Sequence, residues 1–487
     1  VIAIFGVRPR GTATISAGKA HVAKKLTFPS AALVSFRNSQ GSEARGSLLR
    51  LSRQQVVFEV YNPYSIVQLS EVLSELRIHQ GERDTYRGRA VVTNLLNTGL
   101  MLMVTASLVD PWAELRGIGP GDVLRAYVKE FIDDWKAGNR SLMAPVQVAT
   151  ANLRNYLNEM SRWIEHSETA SGVDRSATPE ARREFLLDVD SQFGPQLSEL
   201  YQAFEEAVKA IDDKRLLPVH RGYVQRELHP LMMCSPFMHR AYTKPLGYAG
   251  DYEMVNMMLD DPLVGENSFA KLMNASALRH EAPAAHRNRI QLLTEAIASE
   301  ARRVLGHEHF FRVLNIGCGP AVEIRDFVRE FPELAERTDI VLVDFNEDTL
   351  NHVRAELIPL AKRLAPGMRI VTEQRSINDI IKASVEGEKH EPVTYDMVYC
   401  AGLFDYFRDT TCGYLLQLYY SWVNSGGLVL ATNVTPRHSS VGIMGLVLEW
   451  TLELRGEQQM LDLAPDIGRQ TTYVDATGVN VFLGIRK

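Results

Sequence analysis

The spacing of apolar positions changes character twice along the chain. Between residues 30 and 112 the apolar residues come in short β-branched runs broken by Gly, Asn and Ser, as in AALVSF, RGSLLRLSRQQVVFEV, RGRAVVTNLL and LMLMVTASLV. Runs of this kind predict strands, and together a small barrel or sandwich. From Leu115 the apolar positions recur at helical spacing, in DVLRAYVKEFIDDWKAGNRSLMAPVQVATANLRNYLNEMSRWIEH and again in ARREFLLDVDSQFGPQLSELYQAFEEAVKAIDD. These predict a helical bundle with Ser167 to Glu180 as its linker, and with Glu205, Glu206 and Lys209 on a solvated face.

From about Thr294 buried-type strands alternate with helices. The segments are FRVLNIG, AVEIRDFVREF, DIVLVDF, NEDTLNHVRAELIPLAKRL and MRIVTEQ, followed by YDMVYCAG, DTTCGYLLQLYYSWV and GGLVLATNV. Such alternation predicts an α/β, Rossmann-like parallel sheet with helices on both faces, whose ligands bind outside the strands' carboxyl ends. The expected division is a barrel over 1–114, a bundle over 115–218, a capping segment over 219–293 and the sheet over 294–487. Gly442 to Met460 reads as one helix whose apolar stripe, with Met444 and Trp450, either packs in the core or roofs a ligand pocket.

Length and composition leave this picture intact. A chain of 487 residues with 45% hydrophobic and 23% charged residues has room for about three domains at roughly 150 residues each. A net charge of −6 argues against nucleic acid as a partner. The four cysteines, Cys234, Cys318, Cys400 and Cys412, form no C-x-x-C pair, so no metal site is expected and a reduced, cytoplasmic setting is. Val1 to Val7 lacks the basic region of a signal peptide, and Gly99 to Val109 is too short for the roughly 20 residues of a membrane span.

The candidate chemistry begins at Phe311, where VLNIGCGPAVEI places Gly317 and Gly319 between a strand and a helix. Missing side chains there let the backbone approach a ligand, and Pro320 suits a first helical position. Asp344 closes the next strand, 25 residues after Gly319, where a carboxylate meets ribose hydroxyls. A nucleoside cofactor follows. Two cofactor classes share these features: a dinucleotide, which prefers G-x-G-x-x-G where the third position here is Val322, and S-adenosyl-L-methionine, which offers a ribose with a carboxylate and an ammonium.

TTYVDATGVNVFLGIRK reads as a closing antiparallel hairpin, and that ending resembles the class I methyltransferase fold. By this resemblance Phe345, Ser376, Ile377 and Asn378 face the adenine, although Asn378 also suits a helix cap. Cys400, Ala401 and Gly402 follow the fourth strand beside the cofactor, with Phe404 and Tyr406 either lining the transfer pocket or packing in the core. Glu323 either binds the cofactor's ammonium or favours the helix N-terminus.

Val219 to Leu259 concentrates His, Tyr, Met, Pro and Gly around the constrained loop KPLGYAGDYE. Tyr248, Tyr252, His229 and Asp251 are its candidate catalytic groups, beside His220 and His239. PLGYAGDYEMVN, VLNIGCGPAVEI, GLFDYF and the terminal TGVNVFLGIRK together resemble bacterial methyltransferases known as extracellular-factor 3-hydroxypalmitic acid methyl ester biosynthesis proteins, some with a PilZ-like N-terminal domain. The resemblance covers Arg221 to Lys487 and implies methyl esterification of a carboxylic acid such as a hydroxy fatty acid. PilZ domains carry R-x-x-x-R and D/N-x-S-x-x-G stretches. Here Ser52 matches, whereas Arg45 and Arg50 are misspaced, so docking or homodimerisation is the expected role of the N-terminal half.

A carboxylate acceptor needs alignment but no general base, whereas an amine or alcohol needs one of His229, His239 or Asp251. A non-catalytic regulator that binds the cofactor is the expectation of a different class. AGLFDYF stands where nucleic-acid base methylases carry N/D-P-P-Y/F.

Overall fold

Alternating inward and outward side chains close the N-terminal strands on themselves. The computed structural model describes residues 33–487 except 53, 62–66, 81–82, 98–100, most of 111–139, 174–176, 307–309 and 387–393. The expectations for Val1 to Val7 and for most of the helix after Leu115 lie outside the described residues. Six antiparallel strands, β1 (Leu33–Arg37), β2 (Glu43–Leu51), β3 (Gln55–Tyr61), β4 (Val72–Gln80), β5 (Arg83–Asn97) and β6 (Met101–Leu108), form a closed barrel in the order β1-β2-β3-β6-β5-β4. Val34, Phe36, Phe58 and Val104 fill it, with the two phenylalanine rings 5.4 Å apart.

β4 has no counterpart in the sequence reading. Its register slips between Leu73 and Leu76, and Glu75 takes a positive φ of 52°, so its apolar residues lose strict alternation.

The helical region includes α1 (Ala144–Ser171), α2 (Pro179–Lys209) and α3 (Leu217–Met232). Leu153, Leu157, Leu197 and Phe204 are buried in their shared core. The expected linker is shorter than its composition suggests, because α1 continues to Gly172 at φ 67° and the Thr178 side chain accepts the Ala181 N–H to start α2. Glu205 departs from the solvated face expected of it: it is buried and accepts the Gly442 and Ile443 N–H groups at 2.6 and 2.8 Å. Helical spacing alone cannot show that a neighbouring turn needs an acceptor. Four more helices follow, α4 (Pro236–Thr243), α5 (Tyr252–Leu259), α6 (Ser268–Arg279) and α7 (Glu281–Leu305).

The C-terminal sheet contains β7 (Phe311–Ile316), β8 (Thr338–Asp344), β9 (Arg369–Gln374), β10 (Tyr395–Cys400), β11 (Val423–Val434), β12 (Arg469–Val474) and β13 (Asn480–Arg486). Its order is β12-β13-β11-β10-β7-β8-β9, and β13 runs antiparallel to both its neighbours. This mixed sheet, parallel but for the hairpin at its end, has the form expected from the resemblance drawn from the sequence. Residues alternate along each strand between the two faces. One face packs on α7, α8 (Val322–Glu330) and α9 (Glu347–Leu364), the other on α10 (Ile377–Glu386) and α11 (Asp409–Trp422).

Gly442 to Met460 is not one helix. A single wide turn, Ile443–Val447, gives way at Glu449 (φ 50°) to extended chain, and α12 (Glu457–Asp462) begins afterwards. The Trp450 N–H donating to the Met444 carbonyl at 2.7 Å and the Arg455 N–H to Val434 at 2.9 Å hold that path.

Candidate active site

The strand order reverses between β7 and β10, and the glycine turn sits at that point. Gly317 and Gly319 have φ of 70° and 52°, which a side chain strains. The Gly317 and Cys318 amides both donate to the Val343 carbonyl at 2.8 and 3.0 Å, while the Gly319 amide donates to Asp344 Oδ2 at 3.1 Å. These amides therefore lash the turn to the end of β8. Closeness at Gly319 comes instead from the missing side chain, since a Cβ there would meet nothing within 4 Å.

Asp344 also accepts the Asn346 N–H at 2.9 Å. Burial lifts its carboxyl to about 6, against the lowering pull of those backbone donors. Glu323, in the first turn of α8, accepts from Asn315 Nδ2 at 3.0 Å and the Tyr399 hydroxyl at 2.7 Å, and burial raises it too.

Beside the turn opens a cavity with about 1430 Å³ of empty space, part of it continuous with solvent. Gly317, Gly319, Glu323, Ala401 and Gly402 line one end. Met238, Met254, Met258, Ile290 and Leu293 make its apolar wall, and Tyr406, Met444 and Trp450 flank it. Trp450 Nε1 donates to the Tyr406 hydroxyl at 3.1 Å, which donates to the Ala249 carbonyl at 3.1 Å. Gly250 fits beneath them because a Cβ there would stand 2.8 Å from that hydroxyl.

The candidate catalytic groups lie outside this lining. Asp251 caps α5 through the Glu253 and Met254 amides and pairs with Arg240 at 2.9 Å. The Tyr252 ring stacks on His352 at 4.9 Å. His229 Nε2 bonds the Val447 carbonyl at 2.9 Å, and its ring meets Tyr242 edge-on. The Tyr248 ring lies 4.9 Å from Phe345 with its hydroxyl within reach of Thr349; burial and the Asp344 charge push it far up.

Of the remaining candidates, Ser376 caps α10 by accepting the Asp379 N–H at 3.1 Å. Ile377, Cys400 and Phe404 are buried in the core beneath that helix. Asn378 is not the cap; its Nδ2 donates to Gln40 Oε1 of the barrel at 3.3 Å.

Four charged or titratable residues of the lining have no counterpart in the sequence reading: His280, His286, Arg289 and His438. Burial lowers the three histidines, His280 and His438 to about 4, and keeps them neutral. The HRNR run at 286–289, on the helix before the first strand, was the available signal.

Buried side-chain atoms without partners also belong to this lining: His280 Nε2, Asn315 Oδ1 and Asn480 Oδ1. Among the described residues no cluster of three His, Cys, Asp or Glu is placed to hold a metal ion, and no helix is long and apolar enough to cross a membrane.

No family model matches the chain, and no curated protein matches it. The resemblance to the methyl ester biosynthesis proteins and to PilZ domains therefore stands on the quoted motifs alone.

Several solved structures resemble parts of it. Magnesium protoporphyrin IX methyltransferase from Synechocystis PCC 6803 with bound SAM is 12% identical, over 42% of this chain and 84% of that one, with a TM-score of 0.30. PigF with SAH is 13% identical over 74% and 99%, with a TM-score of 0.31. Human N-acetylserotonin methyltransferase in complex with SAM is 15% identical over 44% and 58%, with a TM-score of 0.24. At such identities and scores these likenesses carry no argument about what the chain does.

Proposed function

We propose that the chain is an S-adenosylmethionine-dependent methyltransferase that esterifies a small carboxylic acid with an apolar body, such as a hydroxy fatty acid. The observation that carries this reading is the cavity at the strand reversal, with the glycine turn and Glu323 at one end and a methionine-rich apolar wall at the other.

The residues fit the cofactor. Open space over Gly319 accepts atoms that a Cβ would exclude, and the unpartnered Asn315 Oδ1 lies beside Glu323, which suits an ammonium. Asp344 retains carboxylate lone pairs for ribose hydroxyls after its two backbone bonds. When bound, the cofactor supplies an electrophilic methyl group on a sulfonium.

The protein's own part is alignment and exclusion of water. The Tyr406–Trp450 pair fixes the loop through Ala249 and Gly250 over the cavity, and the apolar wall positions the acceptor's hydrocarbon. A carboxylate acceptor is already ionised at neutral pH. His280 and His438, held at about 4, are weak bases, burial lowers His286 too, and His239 is exposed on the surface, so the proton-accepting route that an amine requires has little support.

The test is mass spectrometry of the protein incubated with labelled S-adenosylmethionine and a mixture of small acids and amines. A labelled product lost in mild base supports the ester. A base-stable product overturns it in favour of methylation at nitrogen, carbon or an alcohol oxygen.

A further inference from the structure

We propose that Arg289, oriented by His286, is a carboxylate-binding site in the cavity wall. Its position comes first. α7 carries Arg289 to the carboxyl end of β10, so close to Gly402 that a Cβ there would stand 2.7 Å from Nη1. The side chain thus lies against bare backbone at the edge of the cavity it lines. The side chain is half-buried, and the burial it has pulls its guanidinium below the ordinary arginine range.

Its hydrogen bonding comes second. A guanidinium has five N–H donors and stays charged. The described acceptor for Arg289 is one imidazole, His286 Nδ1 at 2.8 Å from Nη2, with Nε2 of the same ring at 3.4 Å. His286 is neutral, so it accepts without competing for an anion. Among the described residues no carboxylate forms an ion pair with Arg289. Asp405 and Glu323 act on it only at longer range, and each is engaged elsewhere: Asp405 Oδ1 by the Val434 N–H at 2.6 Å, and Glu323 Oε1 by Asn315 and Tyr399.

Arg455 shows what a saturated buried arginine looks like here. It bonds Asp409, the Phe404 and Phe407 carbonyls, and Asn433 Oδ1. Arg289 has the same fork and leaves most of it unused, beside an open cavity. A planar fork with parallel free N–H groups matches a carboxylate in bidentate fashion.

Two carboxylates can reach such a site, that of the cofactor's amino-acid end and that of an acceptor. The first rests on the function proposed above; the second does not. Calorimetry on the full chain separates them, using wild type, Arg289→Met and Arg289→Lys. The probes are S-adenosylhomocysteine, its analogue lacking the carboxylate, and decanoate and decanol titrated with S-adenosylhomocysteine present.

If the cofactor's carboxylate is held, Arg289→Met weakens S-adenosylhomocysteine on the order of 10- to 100-fold and leaves the decarboxylated analogue unchanged. If an acceptor's carboxylate is held, decanoate binding falls by a similar factor while S-adenosylhomocysteine and decanol are unaffected. Arg289→Lys, which keeps the charge and loses the fork, falls between.

Undiminished binding of every carboxylate by Arg289→Met overturns the proposal. Failure of wild type to bind S-adenosylhomocysteine sinks the methyltransferase reading instead, and decanoate then decides for Arg289. Thermal unfolding is the control: removal of an unpaired buried cation leaves the melting temperature unchanged or raised, whereas loss of a structural ion pair lowers it.

Discussion

The Gly319 amide donates to Asp344 across 3.1 Å, joining the turn after the first sheet strand to the tip of the second. One short contact thereby fixes the distance between the open space over Gly319 and the carboxylate proposed to hold a ribose.

Asp344→Asn keeps the shape and removes the charge, and is expected to weaken S-adenosylhomocysteine on the order of 10-fold or more by calorimetry. Wild-type affinity should also fall as the pH drops through about 6, where the buried carboxyl takes up its proton. The stability linkage has the opposite sense. The folded carboxyl lies above its ordinary 3.8, so the folded state holds the proton more tightly, and this group's contribution to stability declines as pH rises from about 4 to about 6. Asp344→Asn should remove that slope from urea titrations across the window.

Gly317→Ala and Gly319→Ala each force a Cβ onto a positive φ, at about 1–2 kcal/mol of stability. Only Gly319→Ala places that Cβ in open space beside the turn; at Gly317 it meets Leu403 at 3.5 Å. Gly319→Ala should lower S-adenosylhomocysteine affinity by more than its stability loss accounts for. Equal losses in melting temperature and in affinity for the two variants would return both glycines to a purely structural role.

Glu71 sits buried in the barrel and accepts from the Ser39 amide and hydroxyl at 2.8 and 2.6 Å and the Gln68 amide at 2.7 Å. Glu71→Ala strands those donors and should cost about 3 kcal/mol in urea unfolding. Hydrogen exchange should show the loss first at residues 38–42 and 68–72.

Tyr248→Phe and Tyr252→Phe should behave differently. Tyr248 lies between Phe345 and the Asp344 charge, so losing its hydroxyl should alter S-adenosylhomocysteine affinity rather than acceptor KM. Tyr252 stacks on His352 away from the cavity, and its variant should stay within about 0.5 kcal/mol in stability with unchanged turnover. Lowered turnover in Tyr252→Phe would return that ring to the groups that touch the acceptor.

The C-terminal sheet was legible because each strand is a short apolar run and each helix carries its own periodicity, as in DIVLVDF followed by NEDTLNHVRAEL. The placement of Asp344 at a strand end and of the glycines at a strand-to-helix turn was legible because such turns leave a local signature. What was hidden depends on distant partners. Glu205 looks like a surface residue until Gly442 and Ile443 need it. His229 and Asp251 look chemical until Val447 and Arg240 occupy them. Arg289 and His286 sit one helical turn apart on an unremarkable amphipathic helix, and only the fold carries them to the end of β10.

Among the described residues, three contacts of the barrel with the rest of the chain lie around the proposed site. Gln40 meets Asn378, the Val72 N–H donates to Gly247 at 2.8 Å, and the Ser70 hydroxyl exchanges hydrogen bonds with the Thr451 carbonyl and amide at 2.9 and 2.6 Å. A fragment that keeps only the sheet and helices would thus inherit raw backbone edges at Gly247 and Thr451, on the two strips of chain that frame the cavity. If the proposed activity holds, its unit of inheritance is barrel and sheet together, and recombination between the two would have to conserve a seam as well as two cores.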